Sequence, residues 1–221
     1  DDPASLTRRW SWDFPGVSEA TIVVESTEGR ESIAAHPFLS FDADYDVRES
    51  GVDIRFDARI DVPFEAIQGL NLESTSPVQL LSITVDDRAV EWQRHDDDDS
   101  GRQHFVIDCE EPLQGANHRL RIHAIAPTQD DCDWILPAFV LPDLRWQEGA
   151  ALVKVSPPLS LRHARVDQGQ HAVTVPQAGA GLEQLQARFF APDAAIHLNC
   201  RSPNRGCMRR LAPRYASMLP P

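Results

Sequence analysis

The stretch that decides the fold is Val52 to Val62, which reads V-D-I-R-F-D-A-R-I-D-V. Apolar residues occupy every second position, and the positions between them alternate between aspartate and arginine. Side chains of a β-strand point alternately to its two faces, so this pattern predicts a half-buried strand with one wet face. A slip of one residue would move the charged side chains into the core, and the pattern therefore also fixes the register.

Other stretches along the chain have the same character, because they are short, rich in β-branched or aromatic residues, and bounded by Gly, Pro, Asp or Ser. They are Ala20 to Glu25, Phe41 to Val47, Val78 to Val85, Ala89 to Gln93, Phe105 to Cys109, Arg119 to Ala126, Ala151 to Val155, Leu159 to Arg165, His171 to Val175, Leu185 to Phe190 and Ala195 to Asn199. Asp86-Asp87-Arg88 is predicted to form a hairpin turn and Gln114 to Asn117 a loop. About twelve strands at regular spacing predict an all-β, mainly antiparallel β-sandwich.

The domain organisation follows from these strands. We expect a lead-in segment at residues 1–19, one sandwich domain at 20–200, and a short, irregular, disordered basic tail at 201–221. Several prolines follow Cys132 and mark either a crossover between sheets or a boundary between two smaller sandwiches, of which we favour the crossover within one domain. The chain starts at Asp1 without a signal-peptide pattern, so we expect a mature or excised piece of a longer protein.

Composition and charge exclude several classes of protein. Hydrophobic residues make up 42% and charged residues 25%, which is typical of a folded, water-exposed chain. No apolar run approaches the roughly 20 residues of a membrane-spanning helix, so we expect no membrane insertion of this chain. The 34 acidic and 21 basic residues give a net charge of −13, which disfavours nucleic acid and anionic lipid as partners.

Four cysteines, Cys109, Cys132, Cys200 and Cys207, are present without a C-x-x-C pair. The usual spacing of a zinc ribbon or a thioredoxin-like motif is therefore missing. Pairing Cys109 with Cys132 and Cys200 with Cys207 would close two short local loops and is the disulfide pattern we expect in an exported protein. Four free thiols in a reducing compartment are the alternative.

Two acidic clusters are candidates for binding a cation. Asp42, Asp44 and Asp46 have the D-x-D-x-D spacing that begins a calcium loop, but Val47 stands where such a loop needs glycine. The interleaved apolar residues favour a strand whose wet face holds the three carboxylates. Asp96 to Asp99 form a charge run that favours a solvated loop, with weak capture of a divalent cation as the alternative.

Trp10 and Trp12 are the candidate ligand-binding residues. Flat indole rings stack on sugar faces, and alternate positions of an extended segment lie on one side of it. The pair therefore predicts a glycan site, with a place in the hydrophobic core as the competing interpretation.

Catalytic signatures are missing from the sequence. It contains no G-x-S-x-G, H-E-x-x-H, G-x-x-x-x-G-K-[ST] or G-x-G-x-x-G motif, which disfavours the corresponding hydrolases, zinc peptidases and nucleotide-binding proteins. We therefore predict no catalytic residues, no cofactor and no enzymatic activity.

Four segments, taken in order, resemble the β-rich modules of very long envelope proteins of planctomycete-like bacteria. They are V-D-I-R-F-D-A-R-I-D-V-P (Val52 to Pro63), L-L-S-I-T-V-D-D-R-A-V-E-W (Leu80 to Trp92), E-P-L-Q-G-A-N-H-R-L-R-I-H-A-I-A-P (Glu111 to Pro127) and L-Q-A-R-F-F-A-P-D-A-A-I-H-L (Leu185 to Leu198). The resemblance covers roughly residues 20–200 and implies a secreted or membrane-anchored parent protein.

We therefore expect a non-catalytic structural or interaction module of an exported protein. Its partners would be other modules of the same polypeptide or envelope proteins. A carbohydrate-binding or accessory module of a carbohydrate-active enzyme, with a glycan as partner, is the first alternative. An enzyme of unrecognised type, with a deep cleft that gathers titratable groups, is the second.

Overall fold

The computed structural model describes residues 9–12, 20–23, 37–95, 102–128, 134–174 and 183–201, and of residues 9–12, 20–23 and 172–174 the backbone alone. These residues form strands, turns and bends, and none of them lies in a helix. The predicted all-β class is therefore confirmed. No helix among them could span a membrane.

The chain divides into two compact units, Asp1–Ala34 and Ala35–Pro221. In the first unit, β1 (Arg9–Trp12) and β2 (Ala20–Val23) pair in antiparallel fashion, with Trp10 opposite Ile22. The boundary differs from the one expected before residue 20, because the first predicted strand pairs with the segment that precedes it.

The second unit contains the remaining strands that the structure describes. They are β3 (Phe38–Arg48), β4 (Gly51–Ser74), β5 (Gln79–Val85), β6 (Arg88–Ala89), β7 (Glu91–His95), β8 (Gln103–Ala126), β9 (Trp134–Ile135), β10 (Phe139–Val140), β11 (Arg145–Val155), β12 (Ser160–Val166), β13 (Gly169–Thr174), β14 (Glu183–Phe189) and β15 (Ile196–Arg201). Each predicted strand from Phe41 onward has a counterpart among them.

Ten of these strands form the main sheet, in the order β13-β14-β11-β3-β4-β8-β5-β6, with β10 added to β4 and β7 added to β8. Neighbours in this sheet are antiparallel except β3 and β11, which are parallel. The chain from Arg48 to Arg145 is thus the connection between two parallel strands of one sheet. A smaller sheet has the order β12-β15-β9.

The strands β4 and β8 are each 24 residues long and pair with each other twice. The first pairing joins Val52–Ile60 to His118–Ala126, and the second joins Gly69–Ser74 to Gln103–Asp108. The register shifts between them, where the backbone has positive φ at Gly115 and Asn117. The predicted loop from Gln114 to Asn117 is therefore wrong, because these residues form an irregular bend within a continuous strand.

A single hydrophobic core contains buried side chains of both sheets, which gives the unit its sandwich character. Ile54 and Ile60 of β4 and Leu198 of β15 are each 0% exposed. Phe56 packs edge-on against Phe139 with ring centroids 5.6 Å apart. The alternation from Val52 to Val62 therefore does what the sequence predicts, since every apolar member is buried.

The predicted hairpin turn at Asp86-Asp87 is confirmed. Val85 is opposite Arg88 across it, and φ is 49° at Asp86 and 66° at Asp87. Positive φ at both central residues is the geometry of a two-residue hairpin turn, which aspartate tolerates better than most residues. The turn places the Asp87 carboxylate 2.6 Å from the Arg121 guanidinium of the neighbouring strand β8.

Candidate functional site

The wet face of the main sheet is concave and lines a cavity of about 980 Å³. The first pairing of β4 with β8 supplies its centre, and β3, β5, β11 and β14 supply its walls. A second cavity of about 550 Å³ adjoins the first toward β13 and shares Asp42, Asp44, Ala150 and Arg188 with it. We call the polar and charged residues that line the two cavities the concave face, since the apolar lining residues Phe41, Phe56 and Phe189 belong to the core side of the sheet.

Charged side chains of both signs line the concave face, five of them arginines and four of them acidic. The arginines that line the larger cavity are Arg55, Arg59, Arg119, Arg121 and Arg188. They come from the same alternation that buries the apolar positions, because the residues between buried positions of β4, β8 and β14 point to the wet face. The acidic residues are Asp42, Asp44, Asp57 and Glu148, so the charge of this region is nearly balanced on a molecule with a net charge of −13.

Asp57 organises the centre of this region. Its carboxylate accepts hydrogen bonds from the Arg119 Nε at 2.9 and 3.0 Å and from Arg119 Nη2, and it lies 3.6 Å from Arg121 Nε. The pKa of Arg119 is raised, mainly by the hydrogen bond to Asp57 and further by the negative charges of Asp57 and Asp87. Because these side chains hold one another in place, the centre of the concave face is an ordered surface.

A second set of contacts between polar and charged side chains lies next to the Asp57 cluster along β4. Arg55 Nε is 3.5 Å from one oxygen of Asp53, and His123 Nε2 is 3.0 Å from the other. Arg55 and His123 are directly opposite each other in the register of β4 and β8. Asp53 therefore contacts side chains of both strands.

Five charged side chains of the concave face have no ion pair or hydrogen bond among the described residues. They are Arg59, Arg188, Asp42, Asp44 and Glu148, and all are exposed. Arg59 lies directly opposite Arg119, which Asp57 already holds. Like charges facing each other across a strand pair repel, so Arg59 is a position where an added anion would be favourable.

The structure brings two of the three predicted cation ligands to the concave face. Asp42 and Asp44 line both cavities. Asp46 instead forms an ion pair with Arg48 and accepts a hydrogen bond from the Ser156 hydroxyl at 3.2 Å. Within the part of the chain that the structure describes, no three Asp, Glu, His or Cys side chains could hold one metal ion. A calcium site at these residues stays a prediction, and Asp96 to Asp99 lie outside the described residues.

The predicted glycan ligands Trp10 and Trp12 lie in β1, at alternate positions of the strand, and their side chains are outside the description. The other tryptophans of the chain differ in burial. Trp134 is 5% exposed and belongs to the core, whereas Trp92 is partly buried against it. A core role is thus shown for Trp134, while the glycan site at Trp10 and Trp12 stays a prediction.

Two of the four cysteines are described, and both are free thiols. Cys109 lies in β8 and Cys200 in β15, each partly buried against the core. Burial, reinforced by the charge of Glu183, raises the pKa of Cys200 to about 12, so this thiol is protonated at neutral pH. The expected partners Cys132 and Cys207 lie outside the described residues, as does the basic tail beyond Arg201, and the two disulfides stay a prediction.

The sequence pattern alone does not mark the arginines of the concave face as a site. The alternation already placed Arg55 and Arg59 on a wet face, and Arg119 and Arg121 begin the predicted strand at 119–126. The alternation does not show that β4 pairs with β8, and this pairing is what joins the four arginines in one surface. A register search that aligned Asp57 with Arg121 would have supplied the missing signal.

No known sequence family and no curated protein matches the chain. Solved structures do match its fold. An M1 zinc metallopeptidase from Deinococcus radiodurans has a TM-score of 0.52 at 12% identity, over 75% of this chain and 42% of that one. A two-domain M1 zinc metallopeptidase E323A mutant bound to L-tryptophan has a TM-score of 0.51 at 12% identity, over 75% and 43%.

Yeast LTA4 hydrolase in complex with bestatin gives a TM-score of 0.49 at 10% identity, over 79% of this chain and 31% of that one. This chain spans less than half the length of each of the three structures. At identities this low, the two M1 likenesses show that the fold is shared with part of those proteins, and they show nothing of this chain's chemistry.

Proposed function

We propose that the chain is a non-catalytic interaction module of a larger protein and that it binds a polypeptide partner on the concave face. The observation that carries the proposal is the set of exposed, unpaired charges on an otherwise ordered surface. The centre around Asp57 is held by ion pairs, so a partner would bind to a surface already in its binding geometry. A concave, charge-lined surface on a rigid sheet suits recognition.

The comparisons support the modular part of the proposal. The matched region is 42% to 43% of the two M1 peptidases, so in those chains the β-rich fold is joined to further polypeptide. We propose the same for this chain, with other modules of the same polypeptide or envelope proteins as the partners. The proposed location is extracellular or in the cell envelope, as the resemblance to planctomycete-like envelope modules implies.

A peptide-display library tests the binding proposal. We expect enrichment of peptides that bind the wild-type chain and lose affinity for the double variant Arg59→Glu/Arg188→Glu. Arg162→Glu, which changes an exposed arginine of β12 in the small sheet, is the matched control and should bind normally. Enriched peptides that bind the double variant as well as the wild type would contradict the proposal.

A peptidase assay tests the non-catalytic part. The chain is incubated with Zn²⁺ and with unblocked dipeptide and tripeptide amides, and we expect no release of amino acid above the buffer rate. Hydrolysis that follows the protein through purification and stops on chelation of zinc would show an enzyme instead.

A glycan-binding module is the second candidate, and the β1 strand favours it. Alternate residues of a strand share a face, so the positions of Trp10 and Trp12 lie on one side of the β1–β2 hairpin. If glycans bind there, a glycan panel should quench tryptophan fluorescence of the wild type but not of Trp10→Ala/Trp12→Ala. Trp92→Phe, in the second unit, is the matched control.

A further inference from the structure

The unpaired charges of the concave face lie in three stripes of alternating sign across the strands. Arg188 on β14 forms the first stripe. Glu148 on β11 and Asp42 and Asp44 on β3 form the second. Arg59 on β4, next to Arg119 on β8, forms the third.

Register fixes the order and the spacing of these stripes. Arg188 is opposite Ala150, Ala150 is opposite Asp42, and Asp42 is opposite Asp57. Arg59 lies two residues further along β4, opposite Ser40. Neighbouring strands lie about 4.8 Å apart and residues rise about 3.3 Å along a strand, so the oblique line from Arg188 to Arg59 spans about 16 Å. The acidic stripe lies between the two basic ones.

An extended peptide has a span close to this distance, and its acidic side chains can reach across the remainder. Its side chains at positions 1, 3 and 5 point to one side and span about 13 Å, since each residue rises about 3.3 Å. An acidic residue at positions 1 and 5 would meet Arg188 and Arg59. A basic residue at position 3 would meet Asp42, Asp44 and Glu148.

We propose that the concave face recognises an extended polypeptide segment with the charge order acidic-x-basic-x-acidic that runs across the strands. This inference rests on the proposed function and names its partner class. The central acidic stripe disfavours polyanions such as nucleic acid, which carry no positive charge to place there. A free carboxylate or phosphate would reach one basic stripe but leave the acidic one unpaired.

Fluorescence anisotropy with labelled peptides tests the charge order. The probe is a blocked peptide containing Glu-Ser-Lys-Ser-Glu, and the controls have the same composition in the orders Glu-Ser-Glu-Ser-Lys and Lys-Ser-Glu-Ser-Glu. We expect the probe to bind at least about fivefold more tightly than either control, with affinity that falls as salt is added. Equal binding of all three peptides would overturn the proposal.

Charge exchange separates recognition from a general effect on the fold. Arg59→Glu should weaken binding of the probe about fivefold or more, whereas Arg162→Glu should leave it unchanged. A peptide with lysine in place of one terminal glutamate should recover affinity for Arg59→Glu but not for the wild type. A change that only perturbed the fold would not produce this exchange.

The outcomes also distinguish this inference from the proposed function. If other peptides bind and Arg59→Glu/Arg188→Glu abolishes their binding, the concave face is a docking site and the charge order is wrong. If no peptide from the library binds the concave face, both proposals fail.

Discussion

At the scale of single residues, Gly149 makes room for the aromatic cluster on the core side of the main sheet. A Cβ at this position would lie 2.6 Å from Cζ of Phe41 and 3.1 Å from Cδ2 of Phe189. The ring centroids of Phe41 and Phe189 are 5.8 Å apart, and those of Phe41 and Phe56 are 4.9 Å apart. Glycine is therefore required here by close packing and not by backbone conformation.

We expect Gly149→Val to destabilise the protein by about 1–3 kcal/mol, because the added methyl groups overlap the Phe41 ring. Urea unfolding followed by circular dichroism measures the change. Ala150→Val, one residue on and on the opposite face, should alter the free energy of unfolding by less than about 0.5 kcal/mol. Equal effects of the two substitutions would argue against the packing described here.

His118 couples the hairpin turn to the bend in β8. Its Nδ1 lies 2.7 Å from Oδ2 of Asp86, and its Nε2 lies 3.0 Å from the carbonyl oxygen of Gln114. Partial burial alone would lower the pKa of His118, but the hydrogen bonds to Asp86 and Gln114 and the charges of Asp86 and Asp61 outweigh it. The pKa of His118 is therefore raised above its ordinary value of 6.5.

This raised pKa predicts a pH-dependent stability. The folded protein holds the His118 proton more tightly than the unfolded chain, so the stabilisation is complete below about pH 6.5 and is lost as pH rises through the higher folded-state pKa. We expect the stability lost in His118→Gln to be larger at about pH 5.5 than at about pH 8.5. Urea unfolding at both pH values measures it, and His171→Gln gives the background. A loss that grows toward alkaline pH would contradict the role of this pair.

At the scale of elements, the second half of β4 is as much part of the core as the first. Leu70 is 2% exposed and Leu72 is 0% exposed, whereas Phe64 in the intervening segment is 63% exposed. The strand therefore leaves the core after Val62 and returns to it at Leu70, where it pairs with the first half of β8.

We expect Leu72→Ala to destabilise the protein by about 2–5 kcal/mol, as deletion of a fully buried leucine side chain does. Phe64→Ala is the matched control and should cost less than about 0.5 kcal/mol, because the ring is already exposed. The urea midpoints of the two variants, compared with that of the wild type, measure these changes. A Leu72→Ala variant as stable as the wild type would show that β4 does not return to the core.

The same elements show what the sequence could and could not predict. Local alternation was enough for Val52 to Val62, since every second residue is buried and the period is uninterrupted. It failed from Pro63 to Gln68, because exposed residues there follow no two-residue period. The parallel pairing of β3 with β11 could not be predicted either, since pairing between segments distant in the chain leaves no local sequence pattern.

The candidate site was predictable to a similar degree. The sequence placed Asp42 and Asp44 on a wet face, and the structure agrees. It could not show that Arg188 lies in the same cavity, because that depends on two further strand pairings, β14 with β11 and β11 with β3. Surface sites built from several strands require the register as well as the pattern.

At the scale of the whole molecule, the two compact units lead to a prediction about truncation. We expect a chain of residues 35–221 to fold without residues 1–34, because the main sheet and the small sheet share one core within the second unit. Its circular dichroism should show a β-rich spectrum and a single cooperative urea transition. A truncated chain that is unfolded or that aggregates would contradict this division.

The parallel pairing of β3 with β11 also constrains synthesis on the ribosome. Phe38 pairs with Arg145 and Val47 with Val155, so one edge of β3 has no neighbour until the nascent chain has grown past residue 155. Until then the unpaired N–H and C=O groups of β3 can accept a strand from another molecule. Protection by a chaperone would therefore benefit this protein most while residues 48–155 are being made.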